Sequence, residues 1–336
     1  VVEQTIATVD VPASGLVFET LVAGPADGEP VILLHGYPQS AAAWQETLRW
    51  LAGRGMRALA PNLRGYSPRA NPQDASAYTM DQLVADVIGI ADAQDVERFH
   101  LVGHDWGGAL AWAIATAHPR RLISLTVLST PHMVAFAEAV RTSSQALRSY
   151  YAAFFRIPRL PEAVLSAGDY FQLGLSCRLT GLPRAAWERD RAQLRRVGLH
   201  GALNWYRAAA KLSGRMRRVN VPTLYIWGRH DPFLGRRAAE LTAKYVTGEY
   251  RFVELDAGHW ITERNTDQFR ELLAEHLAAH RLARAAPCAA SVATRPAGAT
   301  ATRTTGTAAR SKPTTGKSAG TKPATKRRSE RRPRDT

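Results

Sequence analysis

Short apolar runs alternate with longer amphipathic ones along most of this chain. Val31-Ile-Leu-Leu34 has the signature of a buried strand, and Val221-Pro-Thr-Leu-Tyr-Ile-Trp227 and Tyr250-Arg-Phe-Val-Glu-Leu255 read as further short strands. The pattern predicts strands near 3–10, 16–23, 31–34, 56–60, 98–102, 122–128, 222–227 and 250–255. The longer helical runs fall at 40–53, 79–94, 107–118, 234–247 and 266–283. Strands and helices that alternate in this way imply an α/β class with a mostly parallel sheet, and 336 residues suit one large domain. No internal repeat is visible.

The stretch that says most about chemistry is Gly103-His104-Asp105-Trp106-Gly107-Gly108. An apolar strand, Arg98–Gly103, runs into it, and an alanine-rich helix follows over 107–118. Strand, G-x-Nuc-x-G turn and helix are the context of a nucleophile elbow, and glycine at 103 and 107 removes side chains that would clash in so tight a turn. The nucleophile position holds Asp105, not serine. A carboxylate can displace a leaving group at saturated carbon and leave an alkyl ester on the enzyme. That ester must then be hydrolysed, so a base, an acid to hold it, an oxyanion hole and a group that stabilises the leaving atom are all required.

Each of these has a candidate. Val31–Leu34 leads into His35-Gly36-Tyr37-Pro38, the loop position that supplies one oxyanion-hole N–H; the residue after the nucleophile supplies the other. The backbone N–H groups of Tyr37 and Trp106 are therefore nominated, and Pro38 makes a cis bond affordable. Asp231 follows the strand at 222–227, and His259 follows the one at 250–255, which reproduces the chain order nucleophile, acid, base. Asp231 would orient His259, and neutral His259 would deprotonate water. Asp256 is a second candidate acid but lies very close in sequence to His259.

With HGYP at 35–38, Arg64-Gly-Tyr-Ser67, GHDWGG at 103–108, HDP at 230–232 and GHW at 258–260, the chain resembles the epoxide hydrolase family, the aspartate-nucleophile branch of the α/β-hydrolase fold, from about Val1 to Arg281. The resemblance implies an eight-stranded, mostly parallel sheet flanked by helices, with core at 1–130 and 220–284 and a helical cap inserted at 131–219. It also implies two cap tyrosines acting on the epoxide oxygen. Leu203-Asn-Trp-Tyr206-Arg207 is similar to the motif carrying one, and Tyr151, seven residues before Pro158, matches the other; Tyr150 and Tyr170 are second choices. Two phenols can hydrogen-bond a ring oxygen, and one can protonate it as it leaves. Phe136, Phe154, Phe155, Phe171, Trp187 and Trp205 are expected to make the cap lining apolar.

The implied reaction converts a small apolar epoxide and water to a vicinal diol, without cofactor or metal. A haloalkane dehalogenase would share the fold and the aspartate, and the Trp106 indole would suit a halide. Tyr37, however, stands where that family commonly has an asparagine, and a departing halide needs no proton from two tyrosines. A serine esterase does not fit an elbow without serine.

Composition changes the picture only at the end of the chain. From residue 285 to 336 the sequence is rich in Ala, Thr, Pro, Gly and basic residues, and from Pro287 onward 12 Lys and Arg face 2 Asp and Glu. Such a tail cannot bury a core and is expected to be disordered. It could touch nucleic acid or an anionic surface weakly, but nothing in it reads base sequence. An idle ligand-binding domain with its function in this tail is the reading from a different class. Cys177 and Cys288 are not expected to pair, no histidine spacing suggests a metal, and no Gly-rich phosphate loop appears. The absence of a leader or spanning segment makes the cytoplasm the expected location.

Overall fold

The computed structural model describes residues 5–209 and 218–281. Its strands are β1 (Ile6–Ala13), β2 (Leu16–Ala23), β3 (Pro30–Leu34), β4 (Arg57–Pro61), β5 (Phe99–His104), β6 (Leu122–Leu128), β7 (Thr223–Gly228) and β8 (Tyr250–Leu255). They form one sheet in the order β1-β2-β4-β3-β5-β6-β7-β8. β1 pairs with β2 and β2 with β4 antiparallel, and the remaining neighbours run parallel. Every residue of β5, β6 and β7 is buried, which is why these segments read as unbroken apolar runs. β1, at one edge, alternates instead.

The helices on the sheet are α1 (Gln45–Ala52), α2 (Met80–Ala93) and α3 (Trp106–Ala117). Among the described residues six more lie between β6 and β7: α4 (Met133–Thr142), α5 (Gln145–Arg148), α6 (Tyr150–Phe155), α7 (Leu160–Leu179), α8 (Arg184–Val197) and α9 (His200–Ala208). α10 (Arg236–Leu241) follows β7, and α11 (Ile261–Arg264) and α12 (Thr266–Ala279) follow β8. The period of two in β3 divides the core into two layers. Ile32 and Leu34 pack with Val87, Leu110 and Ile114 of α2 and α3, whereas Val31 and Leu33 pack with Leu48 of α1 and Phe269 and Leu273 of α12.

Several boundaries differ from the sequence expectation. β1 continues through Pro12, which an edge strand tolerates, and the hairpin turns at Ser14 and Gly15, both with positive φ. The helix expected at 40–53 opens as a tight turn at Ala41–Trp44, and the one expected at 234–247 is α10 followed by a 3-10 turn at Thr242–Tyr245. α2 starts where expected, because Thr79 and Gln82 form a capping box. α7 is interrupted at Ala167–Tyr170, three of which have positive φ. Among the described residues no helix is long and apolar enough to cross a membrane. The basic tail expected from 285, with Cys288, lies outside the described residues, as do residues 3–4 and 210–217; Cys177 is buried and unpaired.

Candidate active site

The turn between β5 and α3 has the geometry that its glycines anticipate. Asp105 sits at φ 51° and ψ −121°, a conformation L residues rarely adopt. A methyl group on Gly107 would lie 2.2 Å from the Leu34 carbonyl oxygen, so no larger residue fits there. Thr130, just past β6, donates its hydroxyl to the Asp105 carbonyl at 2.7 Å and holds the turn from the other side. The Asp105 carboxylate is thereby lifted to the N-terminus of α3.

Around that carboxylate the nominated groups converge. The Tyr37 N–H donates to Asp105 Oδ1 at 2.8 Å, across a Tyr37–Pro38 peptide bond that is cis. Burial raises the Asp105 carboxyl above its ordinary value, against the His259 charge and the Tyr37 and Trp106 N–H groups, which favour the anion. His259 Nε2 lies 3.6 Å from Asp105 Oδ2. On its far side His259 Nδ1 is 2.8 Å from Asp231 Oδ2, and because a carboxylate only accepts, Nδ1 carries a hydrogen, so that in the neutral ring the lone pair is on Nε2. Asp231 Oδ1 accepts from the Phe233 and Leu234 N–H groups at 2.8 and 3.0 Å, so this buried carboxylate is fully engaged. Burial acts to lower His259, but the Asp231 and Asp105 charges outweigh it and hold the ring above its ordinary value. Asp256 is exposed and pairs with Arg229 and His230, away from His259.

Tyr151 and Tyr206 reach the same place from α6 and α9. Tyr206 packs edge-on against Trp106 and Tyr37, with ring centroids 5.0 and 5.5 Å apart, and Tyr151 lies 6.2 Å from Tyr206. Burial first, then neighbouring phenols and the Asp105 charge, raise Tyr206; burial, Asp105 and Asp231 raise Tyr151. Both therefore stay protonated and able to donate. Tyr150 is 76% exposed, and the Tyr170 hydroxyl is committed to the Leu194 carbonyl at 2.9 Å.

Asp105, Tyr151 and Tyr206 stand where two cavities meet. One, of about 480 Å³, runs past Met133, Phe136 and Leu234; the other, of about 710 Å³, past Phe154, Phe155, Leu173 and Trp260, with His259 in its wall. Phe136, Phe154 and Phe155 thus line cavities as expected. Phe171 instead faces solvent, and Trp187 and Trp205 are packing residues: Trp187 fills the space above Gly174, and the Trp205 indole donates to the Arg64 carbonyl at 2.8 Å.

Other supports escape a motif-by-motif reading. The His259 carbonyl accepts from His104 Nε2 at 3.0 Å and from the Ser129 hydroxyl at 3.1 Å; burial, then the His259 charge, lower His104 to about 3, so its ring is neutral. α9 seats on the Arg64–Ser67 loop through glycine against glycine, since a methyl on Gly201 would lie 2.4 Å from Gly65 Cα. Arg64 is itself fixed by Asp86 through bonds of 2.7 and 2.6 Å. Buried Gln145 of α5 donates to the Phe233 carbonyl at 2.7 Å and accepts from the Gly235 N–H at 2.8 Å, while Arg148 donates to the Asp231 carbonyl at 3.0 Å. The helix just before Tyr151 thereby grips the loop that carries Asp231. Ser129 and Thr130 directly follow the buried strand β6, whereas Gln145 and Arg148 carry no such local signal. Among the described residues no group of His, Cys, Asp and Glu is placed to hold a metal ion.

Comparison with known proteins agrees with this architecture. Residues 29–266 match the family model described as the alpha/beta hydrolase fold. The AB hydrolase superfamily protein YfhM of Bacillus subtilis is 33% identical over 280 residues, 80% of this chain and 96% of that protein. Epoxide hydrolase A of Mycobacterium tuberculosis is 31% identical over 315 residues, again 80% of this chain and 96% of that protein. The crystal structure of epoxide hydrolase A from Mycobacterium thermoresistibile superposes with a TM-score of 0.73 at 25% identity, covering 83% of this chain and all of that one. The chain belongs to the α/β-hydrolase family, within its epoxide hydrolase group.

Proposed function

We propose that this protein hydrolyses an epoxide to a vicinal diol through a covalent ester on Asp105. The observation that carries the reading is the convergence of an elbow carboxylate, an Asp231-held His259 3.6 Å from it, and two protonated tyrosines on one pair of cavities. Asp105 Oδ1 is tied to the Tyr37 N–H, so Oδ2 is the oxygen free to attack. As Oδ2 bonds to a ring carbon, the C–O bond of the epoxide breaks, and Tyr151 and Tyr206 hydrogen-bond the oxygen while one of them gives it a proton. The product is a hydroxyalkyl ester whose carbonyl oxygen lies at the Tyr37 and Trp106 N–H groups.

Neutral His259 then takes a proton from water, and the oxygen of that water adds to the ester carbonyl. Charge gathers on the carbonyl oxygen, where the two N–H groups already point, and Asp231 stabilises the imidazolium. Collapse breaks the bond between the carbonyl carbon and the alkoxy oxygen; the imidazolium and the new Asp105 carboxyl group give up their two protons, one to that oxygen as the diol leaves and one to the tyrosinate, and the carboxylate, imidazole and phenol are restored. A halide leaving group would need no proton from the tyrosine pair, which makes dehalogenation the weaker reading of the same site.

Single turnover in water labelled with oxygen-18 tests this. Ester formation requires that the first diol released carry no label and that Asp105 acquire it. Label in the first diol, with none on Asp105, means that water attacked the ring directly and overturns the proposal.

A further inference from the structure

We infer that Arg189 and Asp190 are positioning residues for ester breakdown: from the inserted helices they tie together the two loops that carry the Tyr37 N–H and the base His259. The inference rests on the ester reading above and adds to it a pair that lines neither cavity. Asp190, on α8, is fully buried, and its Oδ1 accepts from the Ser40 N–H at 3.3 Å and the Ser40 hydroxyl at 3.2 Å. Ser40 lies just past the cis Tyr37–Pro38 bond and ahead of the tight turn at Ala41–Trp44. Asp190 Oδ2 accepts from an Arg189 guanidinium nitrogen at 2.9 Å, and the same nitrogen donates to Glu263 Oε1 at 2.7 Å.

Glu263 belongs to α11, the turn that continues from His259. There the Ile261 N–H donates to the His259 carbonyl at 3.0 Å, and the Glu263 N–H to the Trp260 carbonyl at 3.1 Å. Gln39 closes the circuit by donating to Glu263 Oε1 at 2.9 Å. The two loops are thus joined directly through Gln39 and again through Ser40, Asp190, Arg189 and Glu263. Burial raises the Asp190 carboxyl to about 6, with the Arg189 charge acting against it. A charge so costly to bury adds little net stability, and fixing register is the best-attested use of such a pair. Register matters unequally in the two half-reactions. During ester formation negative charge leaves Asp105, and no proton passes to His259. During breakdown, charge gathers on the carbonyl oxygen at the Tyr37 N–H while His259 takes a proton, so both tied groups act in that step.

The test is single turnover of a small aryl epoxide, with ester and diol followed separately by quenched flow, in Asp190→Asn and Arg189→Gln. The first keeps an acceptor for Ser40 and removes the charge that faces Arg189. The second alters a side chain that is 26% exposed, and it carries the test if the first does not fold. Ester breakdown should slow about tenfold while ester formation stays within about twofold of wild type. With breakdown limiting, kcat and KM should then fall together and leave kcat/KM unchanged. Loss of folded molecules alone would lower the amplitude and spare the rates. Unchanged breakdown in Arg189→Gln, or equal slowing of both steps, overturns the inference. If wild-type protein never carries the ester, the Asp105 reading fails instead, and NMR of the free protein decides the positioning. Tyr37 amide and His259 Nδ1–H signals that move in Arg189→Gln support it, and unmoved signals remove it.

Discussion

Two regions meet at Asp105 and are held by different means. On the sheet side, Tyr37, Asp105, Asp231 and His259 each follow a parallel strand, β3, β5, β7 and β8, and mostly backbone groups fix them. On the other side, Tyr151 and Tyr206 ride on helices that engage the core through a glycine contact, one indole and the side chains of Gln145 and Arg148. The sheet side is set by topology and can change little. The helical side can be adjusted by single side chains, so the chemistry should be brittle on one side and tunable on the other.

Asp105→Ala tests the brittle side and should give the largest effect. Turnover of a neutral epoxide is expected to fall by about 10⁴-fold or more, because no other group nearby can form the ester. Tyr151→Phe and Tyr206→Phe should each lower kcat by about 10²-fold, the size usual for removing one donor to a developing oxyanion. Their double variant should lose more than either, and a double no worse than the singles would show that only one phenol acts. Stopped-flow diol formation reads both comparisons.

Gln145→Ala probes the grip between the two sides. It leaves the Phe233 carbonyl and Gly235 N–H without their buried partner, so stability should drop by about 2 kcal/mol in denaturant melts. If the grip also aims Asp231, kcat should fall by about tenfold with KM nearly constant; an unchanged kcat would make it a packing contact only.

A subtler comparison separates free enzyme from ester. In free enzyme burial pulls His259 down, and the Asp231 and Asp105 charges more than offset it. Esterification neutralises Asp105 and removes one of the raising influences. Because the base form is lost as pH falls, the acid limb of ester breakdown should lie at lower pH than the His259 titration of free enzyme. Single-turnover pH profiles set beside imidazole NMR titration would show this, and coincident values would mean that the Asp105 charge is not felt.

The same division explains what could be read from the sequence. Residues of the sheet side announce themselves locally: Asp105 by glycines two residues away on either side, and Asp231 and His259 by the apolar strands before them. Even the choice between Asp231 and Asp256 could be made, because Asp256 lies very close in sequence to His259, and the structure places Asp256 outward on Arg229. The helical side gives weaker local signals. Tyr151 and Tyr206 came from a resemblance, and α7, with its interruption at Ala167–Tyr170, had no counterpart among the expected helices. Gln145, Ser129 and Thr130 carry no motif because their partners lie 90, 130 and 25 residues away, a relation that only the folded chain creates. Phe171 shows the converse: an aromatic residue expected in the lining is 64% exposed.

The central claim is the ester on Asp105, and the intact mass of a His259→Gln variant after incubation with a small aryl epoxide tests it most directly. Without the base, the ester should form and persist. The account predicts a mass increase equal to the whole epoxide, mapping to Asp105 after digestion. A folded variant that still makes diol yet never carries that mass would contradict it.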